Sequence, residues 1–367
     1  MGSFGVSKPW TILAPTGQGV CIAAEELSHY MDLLRSRAGL PSAPPVIMDS
    51  AGPAPGDAVP VILLNAGDGG PSGNGYSWRL GRDRIEIYGD SNRGLCNGVF
   101  DFLDALGIRW PESGREQFPS PAAGGEYPLA REKAYAASVK GPENRRRFVI
   151  PSGETPKKAA GLVRWAARNR CDAIVVSLRD TPPPNAARYS LIVERGGWDL
   201  SLLVPRRYFF FHRDLFRMEE GRRTRRYNFC PTNPDTIAIL GKELARLCRR
   251  IRSQAKKTRP RTESSGAAEA EESVWHLWPD RGHEKTWCSC PACRAFSLEE
   301  QNRIAANAAA AVLEETAPGA RLSYLAENPD EEDSGGNVPE LSLRPGIFVL
   351  DKHYNPSAAP TAPAAAI

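Results

Sequence analysis

Hydrophobic positions in the first third of the chain follow the periods of short strands and helices. Apolar runs predict four strands, at residues 10–13, 60–65, 76–80 and 84–88. Apolar side chains at helical spacing predict two helices, within residues 23–38 and 89–110. The turn Gly81-Arg82-Asp83 joins the last two strands into a hairpin, and Gly107 ends the second helix. These elements predict an α/β domain over residues 8–120.

The remainder of the chain alternates predicted strands with predicted helices. The strands are expected at residues 147–150, 173–178, 273–278, 321–326 and 346–350. The helices are expected at residues 157–169, 235–251 and 298–315. Such alternation indicates βα units around a parallel sheet. A complete eight-stranded barrel takes about 250 residues, so about five or six strands over residues 145–355 predict an incomplete TIM-like β/α barrel.

Three segments have compositions typical of connections. Residues 121–144 are rich in Pro, Gly, Ala and Glu without a clear period, which predicts a linker between two domains. Residues 253–272 are polar and rich in Ala, Glu and Ser, which predicts a flexible loop. Residues 356–367 form a low-complexity tail with nothing to bury, and we expect it to be disordered.

Composition narrows the functional class. A chain of 367 residues with 41% hydrophobic residues can build two cores, and a net charge of +4 does not require a nucleic-acid partner. Neither a signal-peptide pattern nor an apolar stretch of membrane-spanning length is present, so we expect a cytoplasmic protein without a membrane partner. The eight cysteines do not suggest a disulfide scaffold.

Between residues 145 and 226 the chain contains one arginine triplet and three arginine pairs. They lie at residues 145–147, 206–207, 222–223 and 225–226. Such a concentration of positive charge could steer an anionic ligand, such as a uronate or a sulfated sugar. The alternative is a solvated surface face.

Two stretches resemble known bacterial proteins. Residues 76–110 (YSWRLGRDRIEIYGDSNRGLCNGVFDFLDALGIRW) resemble the accessory domain that precedes the barrel in α-glucuronidases and β-hexosaminidases. The second half resembles an uncharacterised bacterial domain family that is grouped with barrel glycosidases. Its matching segments are WAARNRCDAIVVSLRD, ERGGWDLSLLVPRRYFFFHRDLFRMEEGRRTRRYNFCPTNPDT and HLWPDRGHEKTWCSCPACRAFSLEEQNRIAANAAAAVLEETAPGARLSYLA. The chain departs from that family at Trp198, where a His is usual. The resemblance implies a carbohydrate ligand and leaves the reaction undefined.

Carboxylates near predicted strand ends are the candidate catalytic groups, because barrel enzymes place reactive side chains at the C-terminal ends of strands. Asp280 follows the strand at 273–278, Glu327 follows the strand at 321–326, and Glu194 follows the apolar run Leu191 to Val193. Glycoside hydrolysis needs two such groups about 5–10 Å apart. The alternatives are a turn-capping role for Asp280 with Arg281 as ion-pair partner, and a solvated acidic loop for Glu327.

Aromatic and basic side chains near the same loops are the candidate sugar contacts, since sugar rings pack their C–H faces on aromatic rings. The candidates are Trp278, Arg281, Trp287, His276, His212 and Trp198. The alternative for the aromatic residues is core packing, which is also expected for the run Tyr208 to Phe211. For His212 the alternative is a structural hydrogen bond.

Cysteine spacing provides one further candidate site. Cys288, Cys290 and Cys293 form a C-x-C-x-x-C motif, and a fourth ligand for a structural zinc ion is offered by the thiolate of Cys230 or by a nitrogen of His283 or His276. Reduced, partly buried thiols and a redox switch are the alternatives. No other cofactor is predicted, since the chain lacks a P-loop, a GxSxG elbow and an HExxH motif.

These patterns together favour a glycoside hydrolase that acts on an oligo- or polysaccharide through paired carboxylates in a barrel pocket. The alternative is a non-catalytic carbohydrate-binding or scaffolding protein whose shortened barrel has lost the second carboxylate. A zinc-stabilised interaction module is a third hypothesis, which depends on the cysteines alone.

Overall fold

The computed structural model describes residues 2–15, 20–52, 59–68, 73–81, 83–258, 273–280, 286–325 and 342–350. The chain divides into two compact units. The described part of the first unit holds residues 2–174 and 181–193, and that of the second unit holds residues 175–180 and 194–350. Within these ranges, no helix is both long and apolar enough to cross a lipid bilayer.

A mixed six-stranded sheet forms the centre of the first unit. The unit's strands are β1 (Ser3–Gly5), β2 (Thr11–Ala14), β3 (Val46–Asp49), β4 (Val61–Ala66), β5 (Tyr76–Leu80), β6 (Arg84–Gly89), β7 (Arg109–Glu112), β8 (Arg115–Gln117), β9 (Glu126–Pro128), β10 (Lys133–Ala136) and β11 (Arg147–Val149). Its helices are α1 (Val20–Arg37), α2 (Asn92–Ala105), α3 (Pro156–Arg168) and α4 (Asn185–Arg188). The sheet order is β10-β5-β6-β4-β2-β3. The pairs β2-β3, β2-β4 and β4-β6 are parallel, whereas β5 is antiparallel to β6 and β10.

The predicted hairpin and second helix are confirmed. Strands β5 and β6 pair antiparallel, with Tyr76 opposite Gly89. Ser91 caps α2 by accepting hydrogen bonds from the backbone N–H groups at the start of the helix. Gly107 follows the C-cap residue Leu106 and adopts φ +92°, a conformation that favours glycine. Strand β3 (VIMD) was not predicted from the sequence; two of its side chains are exposed and two are partly buried.

The start of α2 lies against the sheet at a distance that only glycine allows. A Cβ on Gly94 would lie 2.2 Å from the Gly75 carbonyl oxygen, and a Cβ on Gly89 would lie 2.0 Å from the Leu95 nitrogen. Both contacts involve backbone, which cannot move aside as a flexible side chain can. These glycines therefore set how closely the helix covers the sheet.

Residues 121–144, where a linker was predicted, contribute two strands to the first unit. Strand β9 pairs with β1, and β10 adds to the edge of the main sheet beside β5. The predicted tail, residues 356–367, lies outside the described residues.

A six-stranded half-barrel sheet follows, in the order β11-β12-β13-β16-β17-β18. Its further strands are β12 (Ala173–Val176), β13 (Ile192–Gly197), β16 (Val274–Leu277), β17 (Arg321–Leu325) and β18 (Ile347–Leu350). The pairs β13-β16, β16-β17 and β17-β18 are parallel. The described residues thus confirm a mixed α/β chain with an incomplete barrel of about six strands. The expectation that a strand ends at Val193 was wrong. Strand β13 continues through Gly197, so Glu194 lies inside the strand.

Two long helices and a small hairpin complete the second unit. The helices are α5 (Pro234–Thr258) and α6 (Leu298–Thr316), and the hairpin strands are β14 (Met218–Glu219) and β15 (Arg222–Arg223). Helix α5 extends seven residues beyond the predicted end at Ile251, into the segment expected to be a loop; residues 259–272 lie outside the described ranges. The core prediction for the aromatic run was wrong for Phe210 and Phe211, which are 68% and 86% exposed.

Candidate functional site

Three adjacent strands of the half-barrel bring polar side chains into one buried network. His276 on β16 lies opposite Gly196 on β13 and Ser323 on β17. Glu194 lies two residues before Gly196, so its side chain points to the same face of the sheet. All three polar side chains are at most 2% exposed.

The network is a chain of hydrogen bonds. His276 Nε2 lies 2.8 Å from Glu194 Oε2, and His276 Nδ1 lies 2.5 Å from Ser323 Oγ. Trp278 Nε1 donates to Ser323 Oγ at 2.9 Å. An indole N–H can only donate and an ionised carboxylate can only accept. Hydrogen-bond donation therefore runs from Trp278 to Ser323 to His276 to Glu194, which gives every member of this network a partner. Glu194 and His276, predicted as catalytic and sugar-binding residues, are therefore enclosed by the sheet in this structure.

Asp280 lies at the edge of the half-barrel, where the carboxyl ends of the strands meet. It follows β16 through Pro279, which restricts the backbone of the turn. Its backbone N–H donates to Asn228 Oδ1 at 2.9 Å, and its Oδ2 lies 3.6 Å from Arg206 Nη2. The Asp280 side chain is 25% exposed. Asp280 is thus held on a constrained turn and remains accessible to solvent.

Arg206, the guanidinium next to this carboxylate, has further guanidinium groups near it. Arg206 Nη2 also donates to the Tyr227 carbonyl oxygen at 2.6 Å. Burial lowers the pKa of Arg206, Asp280 opposes that shift, and the nearby guanidinium groups of Arg179, Arg217 and Arg225 lower it further. An additional anion at this edge would therefore be favoured electrostatically.

Asp199 is a carboxyl group that the sequence analysis missed. It lies two residues after the end of β13, and its Oδ2 accepts a hydrogen bond from the Leu178 backbone N–H at 2.6 Å. Burial raises the pKa of Asp199, which is 6% exposed. The rule that selected Asp280 would have selected Asp199 had β13 been extended through Gly197. No sequence signal pointed to Asn228 or to Ser323.

The aromatic candidates differ in exposure. Trp278 is fully buried and Trp287 is 3% exposed, so both rings belong to the core. Trp198 is half-buried and packs edge-on against Trp278, with ring centroids 5.2 Å apart. Among these three rings, Trp198 is the one with substantial surface open to a ligand.

Of the other predicted binding and catalytic residues, only His212 is described, and it does not join this edge. His212 is exposed and lines a separate surface pocket of about 260 Å³ with Tyr208, Asp235 and Lys242. Arg281 and Glu327 lie outside the described residues.

The four candidate zinc ligands converge elsewhere in the second unit. Cys230, Cys288, Cys290 and Cys293 are all buried, and their sulfurs lie within 4.8 Å of one another. We call this group the cysteine cluster. Hydrogen bonds from Cys288 and Cys293 lower the pKa of the Cys230 thiol, and the same interaction with Cys230 raises the pKa of Cys288 to about 11. Cys230 and Cys288 therefore influence each other's ionisation.

Comparisons with known proteins identify no family. No family model matches the chain, and no curated protein matches it. Solved structures that resemble it include the GH20 β-N-acetylhexosaminidase of Streptomyces coelicolor, with 11% identity, a TM-score of 0.49, and coverage of 95% of this chain and 66% of that one. The chitobiase of Flavobacterium johnsoniae has 13% identity, a TM-score of 0.48, and coverage of 89% and 50%.

A β-N-acetylhexosaminidase of Bacteroides fragilis has 12% identity, a TM-score of 0.46, and coverage of 95% of this chain and 67% of that one. The chain thus spans about half to two thirds of the length of the solved structures it resembles. These TM-scores lie below 0.5, so the likeness does not assign an activity to this chain.

Proposed function

We propose that the chain is a glycoside hydrolase that binds an oligosaccharide at the carboxyl edge of the half-barrel, with Asp280 as an acid–base group. The observation that carries this proposal is the placement of Asp280. It is a partly exposed carboxylate on a constrained turn, directly after a parallel strand and 3.6 Å from a guanidinium. Sheets of this kind bind ligands at the carboxyl ends of their strands.

The surroundings of Asp280 suit a sugar. Trp198 offers a partly open aromatic face at the end of β13, and Arg206 offers donors for hydroxyl or carboxylate oxygens. The neighbouring guanidinium groups of Arg179 and Arg225 favour a ligand that carries negative charge. Uronic or sulfated sugars are therefore the preferred substrate class within this proposal.

Hydrolysis also requires a second carboxyl group, since one group protonates the leaving oxygen while the other acts as base or nucleophile. Asp199 fits the role of the acid, because burial raises its pKa and favours the protonated form. The proposal requires the carboxyl groups of Asp199 and Asp280 to approach within about 10 Å in the substrate complex.

A non-catalytic carbohydrate-binding protein is the second candidate. It is favoured by the burial of Glu194, whose carboxylate is 1% exposed and bound to His276. In this structure the Glu194 carboxylate is therefore closed to a sugar and paired with His276. Binding by Asp280, Arg206 and Trp198 would then occur without bond cleavage.

The deciding experiment combines binding and hydrolysis. Calorimetry with acidic and neutral oligosaccharides would be run beside a panel of aryl glycosides that includes hexuronides and N-acetylglucosaminides. Asp280→Asn should reduce hydrolysis of a responsive glycoside by roughly 100-fold or more, as expected for loss of an acid–base group. Asp83→Asn, in an exposed turn of the first unit, is the matched control and should behave as wild type.

Binding without cleavage that is weakened by Asp280→Asn would select the second candidate. Unchanged binding and hydrolysis in the Asp280→Asn protein would contradict both candidates.

A further inference from the structure

The spacing of the sulfurs in the cysteine cluster matches the coordination shell of a tetrahedral metal ion. Cys230 Sγ lies 3.7 Å from Cys290 Sγ and 3.6 Å from Cys293 Sγ. Zinc–sulfur bonds of about 2.3 Å in tetrahedral geometry separate the sulfurs by about 3.8 Å. A disulfide would instead require about 2.05 Å, and all four cysteines are free.

Hydrogen-bond donors around the cluster are suited to thiolates. The Met218 backbone N–H donates to Cys288 Sγ at 3.2 Å, and Arg223 Nη1 lies 3.7 Å from the same sulfur. Thr232 Oγ1 lies 3.1 Å from Cys293 Sγ. Donors of this kind orient and stabilise the ligands of metal sites from the outer shell. The positive charge of Arg223 would also offset part of the net charge of −2 on one Zn²⁺ bound by four thiolates.

We propose that the cysteine cluster binds one Zn²⁺ ion through the sulfurs of Cys230, Cys288, Cys290 and Cys293. Soft thiolate ligands favour zinc over magnesium or calcium. Each thiol releases its proton to solvent as the ion binds, so four protons are exchanged for one divalent cation. Four protein ligands leave no open position for water or substrate, and the role of this ion is therefore structural.

The ion would bind two connecting segments that are far apart in the sequence, one before α5 and one between β16 and α6. Cys230 lies just before α5, whereas the other three ligands lie between β16 and α6. Next to the ligands, Phe229 and Trp287 pack edge-on with ring centroids 6.0 Å apart. Asn228, two residues before Cys230, holds the backbone of Asp280. Zinc would thus stabilise the loops that form the carboxyl edge of the half-barrel.

The test begins with the full wild-type chain, purified under reducing conditions and without a metal-binding tag. Elemental analysis should find one zinc per chain. The apoprotein should take up one Co²⁺, with the sulfur-to-cobalt charge-transfer band and the visible bands of a tetrahedral thiolate site. Absence of both metals from a folded wild-type chain, or a disulfide among these cysteines in the isolated protein, would overturn the proposal.

Two cysteine variants provide the matched comparison. Cys290→Ser should weaken zinc binding by more than ~100-fold, since changing even an outer-shell partner costs roughly 10–100-fold. Cys248→Ser changes a buried cysteine in the hydrophobic core and should keep one zinc per chain. If Cys290→Ser unfolds, Thr232→Val, which removes only a neighbour of the sulfurs, should weaken zinc affinity by roughly tenfold. Unchanged zinc affinity in a folded Cys290→Ser would contradict the assignment. If Cys290→Ser unfolds, unchanged zinc affinity in Thr232→Val would contradict it. None of these measurements depends on sugar binding.

Discussion

Glu194 provides the sharpest test of the buried network, because the sequence favoured a catalytic role and the structure encloses the side chain. Its Oε2 lies 2.8 Å from His276 Nε2, and the two side chains are 1% and 0% exposed. Replacing Glu194 with Ala leaves the buried His276 Nε2–H without its acceptor and opens a cavity, which together cost about 3–5 kcal/mol. At about 2–4 °C per kcal/mol for a unit of this size, Glu194→Ala should lower the Tm by roughly 10 °C.

Glu194→Gln separates the hydrogen bond from the charge. The amide oxygen can still accept from His276 Nε2, but a neutral hydrogen bond contributes about 1 kcal/mol less than one to a charged group. We therefore expect Glu194→Gln to lower the free energy of unfolding by about 1–2 kcal/mol, well below the effect of Glu194→Ala. Urea titrations followed by tryptophan emission and circular dichroism would measure both. Glu314→Ala is the control, because Glu314 is 73% exposed in its pair with Arg344 and should change stability by less than about 0.5 kcal/mol.

The result that refutes this reasoning is a Glu194→Ala protein within about 1 kcal/mol of wild type. If that stable variant had also lost glycoside hydrolysis, the catalytic role expected from the sequence would be restored, and the buried arrangement would not be the functional one.

Three further predictions address other parts of the chain. Gly94→Ala should destabilise the first unit by about 3 kcal/mol in thermal unfolding, since its Cβ would meet the Gly75 carbonyl oxygen. Gly161→Ala is the control, because its Cβ has room, and it should be neutral or stabilising. Burial raises the pKa of the Cys171 thiol from 9.0 to about 12. Between these two pH values the folded state keeps a proton that the unfolded state loses. The free energy of unfolding should therefore fall by up to ~1.4 kcal/mol per pH unit in that range. Urea titrations across that range should show a shallower slope for Cys171→Ala, and equal slopes would contradict the assignment. Asn228→Ala should weaken oligosaccharide binding roughly 5–10-fold in calorimetry by freeing the turn at Asp280. Asn307→Ala, which loses two exposed hydrogen bonds elsewhere, should not.

The sequence by itself determined the elements whose patterns are local. The alternation in β5 and β6 and the apolar face of α2 each depend on neighbouring positions, so these elements lie close to the predicted bounds. The alternation of strands and helices likewise determined the parallel, unfinished barrel. The C-x-C-x-x-C motif marked three of the four cysteines for the same reason.

Only the tertiary structure decided which side chains meet and which remain open to solvent. Glu194 and His276 face each other because strand register aligns β13 with β16, and register depends on pairing between distant segments. Cys230 joins the cysteine cluster although it lies 58 positions before Cys288 in the sequence, and nothing in its own neighbourhood signals that contact. The same holds for Asn228, which reaches Asp280 from another connection. The structure buries Trp278 and Trp287 in the core and leaves Trp198 partly open. The sequence could not decide this, because the hydrophobic effect acts on total apolar area and does not specify which ring is covered.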